Sequence, residues 1–307
     1  MRKLVALVTA IVVIPASVAT AADLDELLER SHEASYSAEQ IISCNTPDGL
    51  RDAVVRLAQD GVDIWIGSTA SGDVEVAAGS GGWTLLRGGD TVSSASVGTG
   101  ERADDPLYSV EDEAAFLFLG RSATTYNLVR DGVLRAKLAF DQETGAMVNV
   151  TTFLEDGTAY CQRRFISFDS TAPDLAFVTP IEGETLRQLE GVPTTLPEAI
   201  AGFDRLDLYL DDDGSTFAYY SDGFFSFAVF ETPTTVSLPD GIAVQVGESV
   251  YERSFTAGQA TYVWETRVGG MALVGDLPPD LHESVLAALP ESEAPGLLRR
   301  LWRSLFG

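Results

Sequence analysis

The sequence predicts an α+β protein dominated by antiparallel sheet, with a curled N-terminal sheet preceded by one helix and a smaller C-terminal antiparallel α+β unit. Three observations lead there. Between Gly120 and Phe168 the chain reads as consecutive hairpins: Asp131-Gly132 joins TTYNLVR to VLRAKLAFD, Glu143-Thr144-Gly145 joins that strand to AMVNVTTFL, and Asp156-Gly157 leads into TAYCQRRFISF. Asp-Gly supplies the positive φ angles of tight hairpin turns, and the flanking runs are rich in β-branched and aromatic residues. Seven Asp-Gly pairs punctuate the chain between short alternating runs, which favours antiparallel sheet over a parallel α/β architecture. Within VLRAKLAFD, Leu134, Ala136, Leu138 and Phe140 fall on one side and Arg135, Lys137 and Asp141 on the other, so one face should be buried and one wet.

Taken in order, residues 1–21 fit a secretory leader. Arg2 and Lys3 precede an apolar run from Leu4 to Ile14, and Ala19-Thr20-Ala21 is a small-x-small cleavage site. The run is short of the roughly 20 residues that a bilayer core requires, so cleavage is favoured over a membrane anchor. Ala22 to Ala34 reads as a helix with Asp23 as its cap and Leu24, Leu27 and Leu28 on one side. Strands follow at Ser37–Cys44, Val62–Ser68, Val74–Ala78 and Trp83–Leu86, then an exposed Gly- and Ser-rich loop at Ser93–Asp105. Periodicity fades around Pro180, Gly183, Gly191 and Pro193, which places a linker at 179–196 between units spanning 22–178 and 197–290. The second unit should hold strands at Phe203–Leu210, Thr216–Tyr220, Phe224–Phe230, Ala243–Val246, Val250–Phe255, Ala260–Glu265 and Met271–Val274. A closing helix at Leu281–Leu289 would be capped by Asp280.

Residues 291–307 end in GLLRRLWRSLFG, where leucines, Trp302 and Phe306 oppose Arg299, Arg300 and Arg303. Such a basic amphipathic tail could suit an anionic membrane or a partner groove, but with only three arginines it reads first as a terminal helix packed on its own domain or a frayed end. It stands out because the formal net charge of the chain is −26, and loss of Arg2 and Lys3 with the leader makes it −28. Nucleic acid is a poor partner for that surface. Cys44 and Cys161 are the only cysteines. Outside the cytoplasm a lone pair is expected to bridge, the alternative being two buried free thiols.

The order LGRSA, strand, DG, LRAKLAFDQETG, strand, EDG and a strand ending RRFISF resembles the N-terminal domain of the MucB/RseB regulators of extracytoplasmic-stress sigma factors. A second block, LPEAIAGF followed by STFAYYSDGFFSFAVFE, is similar to the C-terminal domain of that family. The resemblance spans Tyr36 to Leu289 and rests on turn and core patterns; Gly79 to Asp105 departs from it, being rich in Gly and Ser where a longer strand pairing is expected. It implies a LolA-like half-open barrel, a periplasmic address, and a partner: the exported segment of a membrane anti-sigma factor, shielded from proteolysis until a lipid-type signal releases it. A lipid ligand in an apolar cavity is part of that implication. Self-association into a homo-oligomer stays open.

Catalytic signatures are missing from the sequence. There is no G-x-S-x-G, H-E-x-x-H or P-loop, and GTGERA at Gly98–Ala103 lacks the strand and helix of a dinucleotide site. His32 and His282, the only histidines, read as solvent-exposed, and Asp211-Asp212-Asp213-Gly214 as a solvated turn in preference to a calcium loop. No cofactor, metal or enzymatic activity is expected. Tyr219, Tyr220, Phe224 and Phe225 flank a Ser-Asp-Gly turn and are candidates to line a recognition groove, although aromatic residues there more often form core. Asp222 and Gly223 read as turn formers. The leading reading is a binding regulator; a lipid or lipoprotein carrier is the alternative, and a secreted hydrolase with an unrecognised carboxylate pair comes third.

Overall fold

The structure, a computed structural model, describes residues 24–68, 74–79, 82–87, 90–95, 107–175, 187–188, 194–210, 214–238, 241–256, 259–267 and 269–292. The expected leader, GTGERA, Asp211–Asp213 and the tail from residue 293 lie outside them, as does most of the expected linker. Helix α1 (Leu24–His32) is the first element among the described residues, with Asp25 and Glu26 in its first turn and Arg30 and His32 in its last, the arrangement its dipole favours. It buries Leu24 and Leu27.

Among the described residues eleven strands form the first sheet: β1 (Ser35–Thr46), β2 (Gly49–Asp60), β3 (Asp63–Ser68), β4 (Val74–Gly79), β5 (Gly82–Arg87), β6 (Asp90–Ala95), β7 (Ser109–Phe118), β8 (Arg121–Arg130), β9 (Val133–Asp141), β10 (Met147–Phe153) and β11 (Ala159–Asp169). Two antiparallel meanders, β1 to β6 and β7 to β11, are joined where β1 pairs with β11. The outer strands β6 and β7 do not pair, so the sheet is an open, curled half-barrel. Strand β2 was not expected from the sequence, and β6 takes in Ser93 to Ala95, the start of the expected loop.

Strand β9 corrects the expectation of one wet face. Its apolar side packs under α1 through Ala136, Leu138 and Phe140 with Leu128 of β8, yet Arg135, Ala139 and Asp141 are buried as well. Asp141 folds back into the following turn, accepting the Thr144 N–H and two guanidinium bonds from Arg121. Burial opposes its charge, but these donors outweigh it and hold the carboxyl below the usual aspartate range.

The second sheet contains β12 (Arg187–Gln188), β13 (Ala199–Ile200), β14 (Phe203–Leu210), β15 (Thr216–Ser221), β16 (Ser226–Thr232), β17 (Ile242–Val246), β18 (Ser249–Thr256), β19 (Gln259–Glu265) and β20 (Gly270–Gly275), followed by α2 (Pro279–Ala287). Strand β20 inserts between β16 and β19, which knits two hairpin groups into one sheet. The core gathers Phe203, Tyr220, Phe227, Met271 and Leu277 against Val285 and Leu286 of α2.

His282 of α2 is buried, contrary to the sequence expectation. Its Nε2 lies 2.9 Å from the Leu277 carbonyl and its Nδ1 2.7 Å from the Tyr262 hydroxyl. A carbonyl only accepts, so Nε2 carries the proton and Nδ1 accepts from Tyr262. Burial pulls the imidazole down to about 4, leaving it neutral.

Candidate functional site

The turn Ser221-Asp222-Gly223 between β15 and β16 joins the two lobes. One carboxylate oxygen of Asp222 accepts the backbone N–H groups of Phe224 (3.0 Å) and Phe225 (2.9 Å), the local chemistry that makes aspartate a turn former. Its other oxygen faces the first lobe. There it accepts the Tyr108 hydroxyl at 2.6 Å and Arg130 Nη1 at 2.7 Å, with the Asp222 side chain 0% exposed. Burial and the Asp222 charge push the Tyr108 hydroxyl far above the phenol range. Burial works against the Arg130 charge, but Tyr108 and Asp222 more than offset it and raise the guanidinium. Gly202 closes over this arginine at φ +85°, and a Cβ there would sit 2.7 Å from Arg130 Nη2. The positive φ favours glycine here, and a side chain would also push the arginine tip aside.

A second clasp depends on a β-bulge. Leu128 pairs with Ala136 and Val129 with Leu134, so Arg135 drops out of the β8–β9 ladder. Bulges re-aim side chains, and this one sends Arg135 across to Asp280 on α2, at 2.9 and 3.4 Å, with its guanidinium 5.9 Å over the Phe225 ring. Asp280 also accepts the Glu155 backbone N–H at 2.9 Å. The expected N-cap role for Asp280 is therefore corrected: Pro278 occupies the cap position without a side-chain cap bond, and Asp280 is used between lobes. Arg163 and Asp276 form a third pair at 2.7 Å, and Asp48 with Arg253 a fourth in the reverse sense. All four use aspartate with arginine, whose planar fork suits partly buried carboxylate pairing.

Between these clasps lies a cleft of about 310 Å³. Leu28, Met147, Val150 and Phe224 supply its apolar wall, Thr152, Arg163, Tyr219 and Asp276 its polar one, and Cys161 sits in its floor. Cys161 is bridged to Cys44 directly across the β1–β11 seam. Among the aromatic candidates, Tyr219 and Phe224 line the cleft, whereas Tyr220 and Phe225 are buried in the second-lobe core and Tyr220 donates to the Pro197 carbonyl. Phe224 packs against the cores of both lobes and meets Tyr108 edge-on at 6.0 Å. Arg299, Arg300, Trp302 and Arg303 lie outside the described residues. Sequence reasoning missed Tyr108, Arg130, Arg135, Arg163 and Asp276. The only local signal was the Ser-Asp-Gly turn, which marks Asp222 but not what its second oxygen binds.

Chemically, the cleft offers a mixed apolar and hydrogen-bonding surface. Exposed His32 stands at its rim, while His282 is locked inside the second lobe. Among the described residues no His, Cys, Asp and Glu side chains gather into a group that would hold a metal ion, and no helix is long and apolar enough to cross a membrane.

No family model and no curated protein sequence matches the chain. Solved structures do. The complex of Pseudomonas aeruginosa MucA and MucB is matched with a TM-score of 0.52 at 19% identity, over 89% of this chain and 100% of that one. A crystal structure of MucB is matched with a TM-score of 0.50 at 18% identity, over 87% and 96%. The chain shares this two-lobed fold across nearly its whole length.

Proposed function

We propose that the protein is an extracytoplasmic regulatory binding protein, not an enzyme, that grips the exported segment of a membrane anti-sigma factor and shields it from proteolysis until a lipid-type signal releases it. The observation that carries this reading is the two-lobed likeness to MucB, one of whose matched structures is a complex with MucA. The family resemblance of the hairpin and Ser-Asp-Gly blocks supplies the partner class. The cleft supports it too, since Phe224 and Tyr219 stand beside a hydrogen-bonding wall suited to a peptide. In this reading residues 22–178 and 197–290 are the two domains, residues 1–21 direct export to the periplasm, and Arg299, Arg300, Trp302 and Arg303 contact membrane or partner. Release needs only differential affinity: a lipid that favours the unbound form shifts the equilibrium and exposes the partner.

The second sheet favours a regulator over a lipid or lipoprotein carrier, which can enclose its cargo with one curled sheet. The test is to immobilise the chain lacking residues 1–21 and present the exported segments of single-span membrane proteins. Retention of an anti-sigma segment, and its protection from added protease, is the expected result. Co-purification of acyl lipid with no such segment retained would transfer the assignment to the carrier.

A further inference from the structure

The β7–β8 hairpin carries a concentration of exposed apolar side chains. Leu117 is 75% exposed, Leu119 50% and Phe116 38%, all within four residues of one another. The tip is a two-residue turn, Leu119-Gly120, with φ of 49° and 78°. The β8–β9 turn has the same left-handed pair, but there Asp131 occupies the first position, the kind of residue such turns favour. A leucine at positive φ and in solvent is unfavourable on both counts, so the fold gains nothing from it.

Strand β7 is also an outer strand, and among the described residues nothing pairs with its far side. Phe118 and Arg121 close the two-residue turn, so Phe116 and Phe118 direct their backbone groups to β8, while Ala115 and Leu117 direct theirs outward. The intervening bulge is already served, because the Thr125 hydroxyl bonds both the N–H and the C=O of Ala114. The first half of β7 is blunted in the usual way, by that bulge and by a charge at Glu111. Its second half has neither protection, and both faces are apolar: Phe116 and Phe118 are ring neighbours at 6.2 Å on one face, with Leu117 on the other.

We propose that the Ala115–Phe118 edge of β7 receives an extended peptide strand by β-augmentation, a strand whose residues beside Ala115 to Phe118 alternate in apolarity and whose residues beside Glu111 are basic. This deepens the proposed function and rests on it, the peptide being part of the exported partner segment. Charge complementarity selects that occupant, since a net charge of −26 and Glu111 on the edge both call for a cationic strand. A bilayer is a poorer fit because the outward backbone groups of Ala115 and Leu117 would enter hydrocarbon unpaired. A second copy is poorer as well. Antiparallel pairing about Phe116, which sets Ala115 opposite the copy's Leu117, leaves Glu111 beyond the copy's Leu119-Gly120 turn with no cation opposite it and brings two chains of net charge −26 together.

The probe is a short acetylated peptide alternating valine with arginine, titrated by fluorescence anisotropy onto the chain lacking residues 1–21. Saturable binding should slow amide exchange at Ala115 and Leu117, a readout that needs no variant. Leu117→Pro removes an outward N–H while leaving the β8 ladder intact, and should weaken binding at least about tenfold with an unchanged circular dichroism spectrum. Ala115→Pro serves the same purpose if the first variant fails to fold. Protection confined to the cleft strands, no binding, a peptide-free dimer abolished by Leu117→Pro, or Leu117-dependent binding to phosphatidylcholine vesicles would each overturn the proposal. Equal retention of an anti-sigma segment by the unmodified and Leu117→Pro chains would also overturn it, while leaving the regulator reading in place.

Discussion

Arg135 in the first lobe and Asp280 in the second are joined by two hydrogen bonds across 145 positions of sequence, and the Glu155 backbone N–H completes the carboxylate's shell. The side chains are 6% and 19% exposed, so the pair is largely cut off from water. Removing one partner strands the other, and such losses are large.

Arg135→Ala or Asp280→Ala should each lower stability by about 2–4 kcal/mol. Chemical denaturation should then resolve two transitions where the unmodified chain gives one. The double variant Arg135→Met with Asp280→Leu should be less damaging than the sum of the singles, because no charge is left unpaired.

Asp222 combines two duties that substitution can separate. Asp222→Asn keeps the oxygen that holds the Phe224 and Phe225 N–H groups but loses the charge facing Arg130, whereas Asp222→Ala loses both. The alanine variant should be the less stable by about 1 kcal/mol or more in urea titrations. Tyr108→Phe, which deletes a single bond to Asp222, should cost about 1–2 kcal/mol.

His282 makes the second lobe acid-sensitive. Its folded-state value is depressed to about 4 from 6.5, so between those values the unfolded chain binds the extra proton. Stability from this group is full above about pH 6.5 and is lost as pH falls towards 4, to a total of about 3 kcal/mol. Melting temperature followed from pH 7 to 4 should decline, and His282→Gln should flatten that decline while lowering the plateau.

The Cys44–Cys161 bridge closes a separation of 117 residues. Replacing both cysteines with serine should cost about 2–5 kcal/mol by lifting a constraint on the unfolded chain, measured by denaturation under identical redox conditions.

Leu119→Asn should raise stability by about 0.5–1 kcal/mol, since asparagine tolerates positive φ and water better than leucine. A gain in melting temperature without loss of β content would show that the native leucine is not there for the fold.

The hairpins from Arg121 to Asp169 were legible because two of their three turns are built on Asp-Gly and the third on Glu-Thr-Gly, and because strand alternation is a local property. Strand β2 was not, since LRDAVVRLAQD scatters charges through its apolar residues and is made a strand by β1 and β3 on either side. The burial of Arg135 was hidden because a bulge shifts the register, and alternation alone assigns it to the wet face. Asp280 stood where a helix cap is expected; only a guanidinium 145 positions away reassigns it. The same holds for Asp222 and Asp276, whose partners are set by docking of the lobes and leave no periodic trace. His282 sits on the apolar side of α2, but nothing local marks the Tyr262 hydroxyl and Leu277 carbonyl that make its burial tolerable.

The β1–β11 seam also sets an order of events during synthesis. Strand β1 can fold against β2 as soon as both have emerged, but its other flank waits until β11 has been made, with two meanders accumulating in between. Through that interval Cys44 is an unpartnered thiol on a half-finished edge. A nascent chain stalled before residue 161 would therefore hold β2 to β10 without the strand that unites the halves, leaving it open to oxidants and to edge-seeking neighbours that the completed protein would turn away.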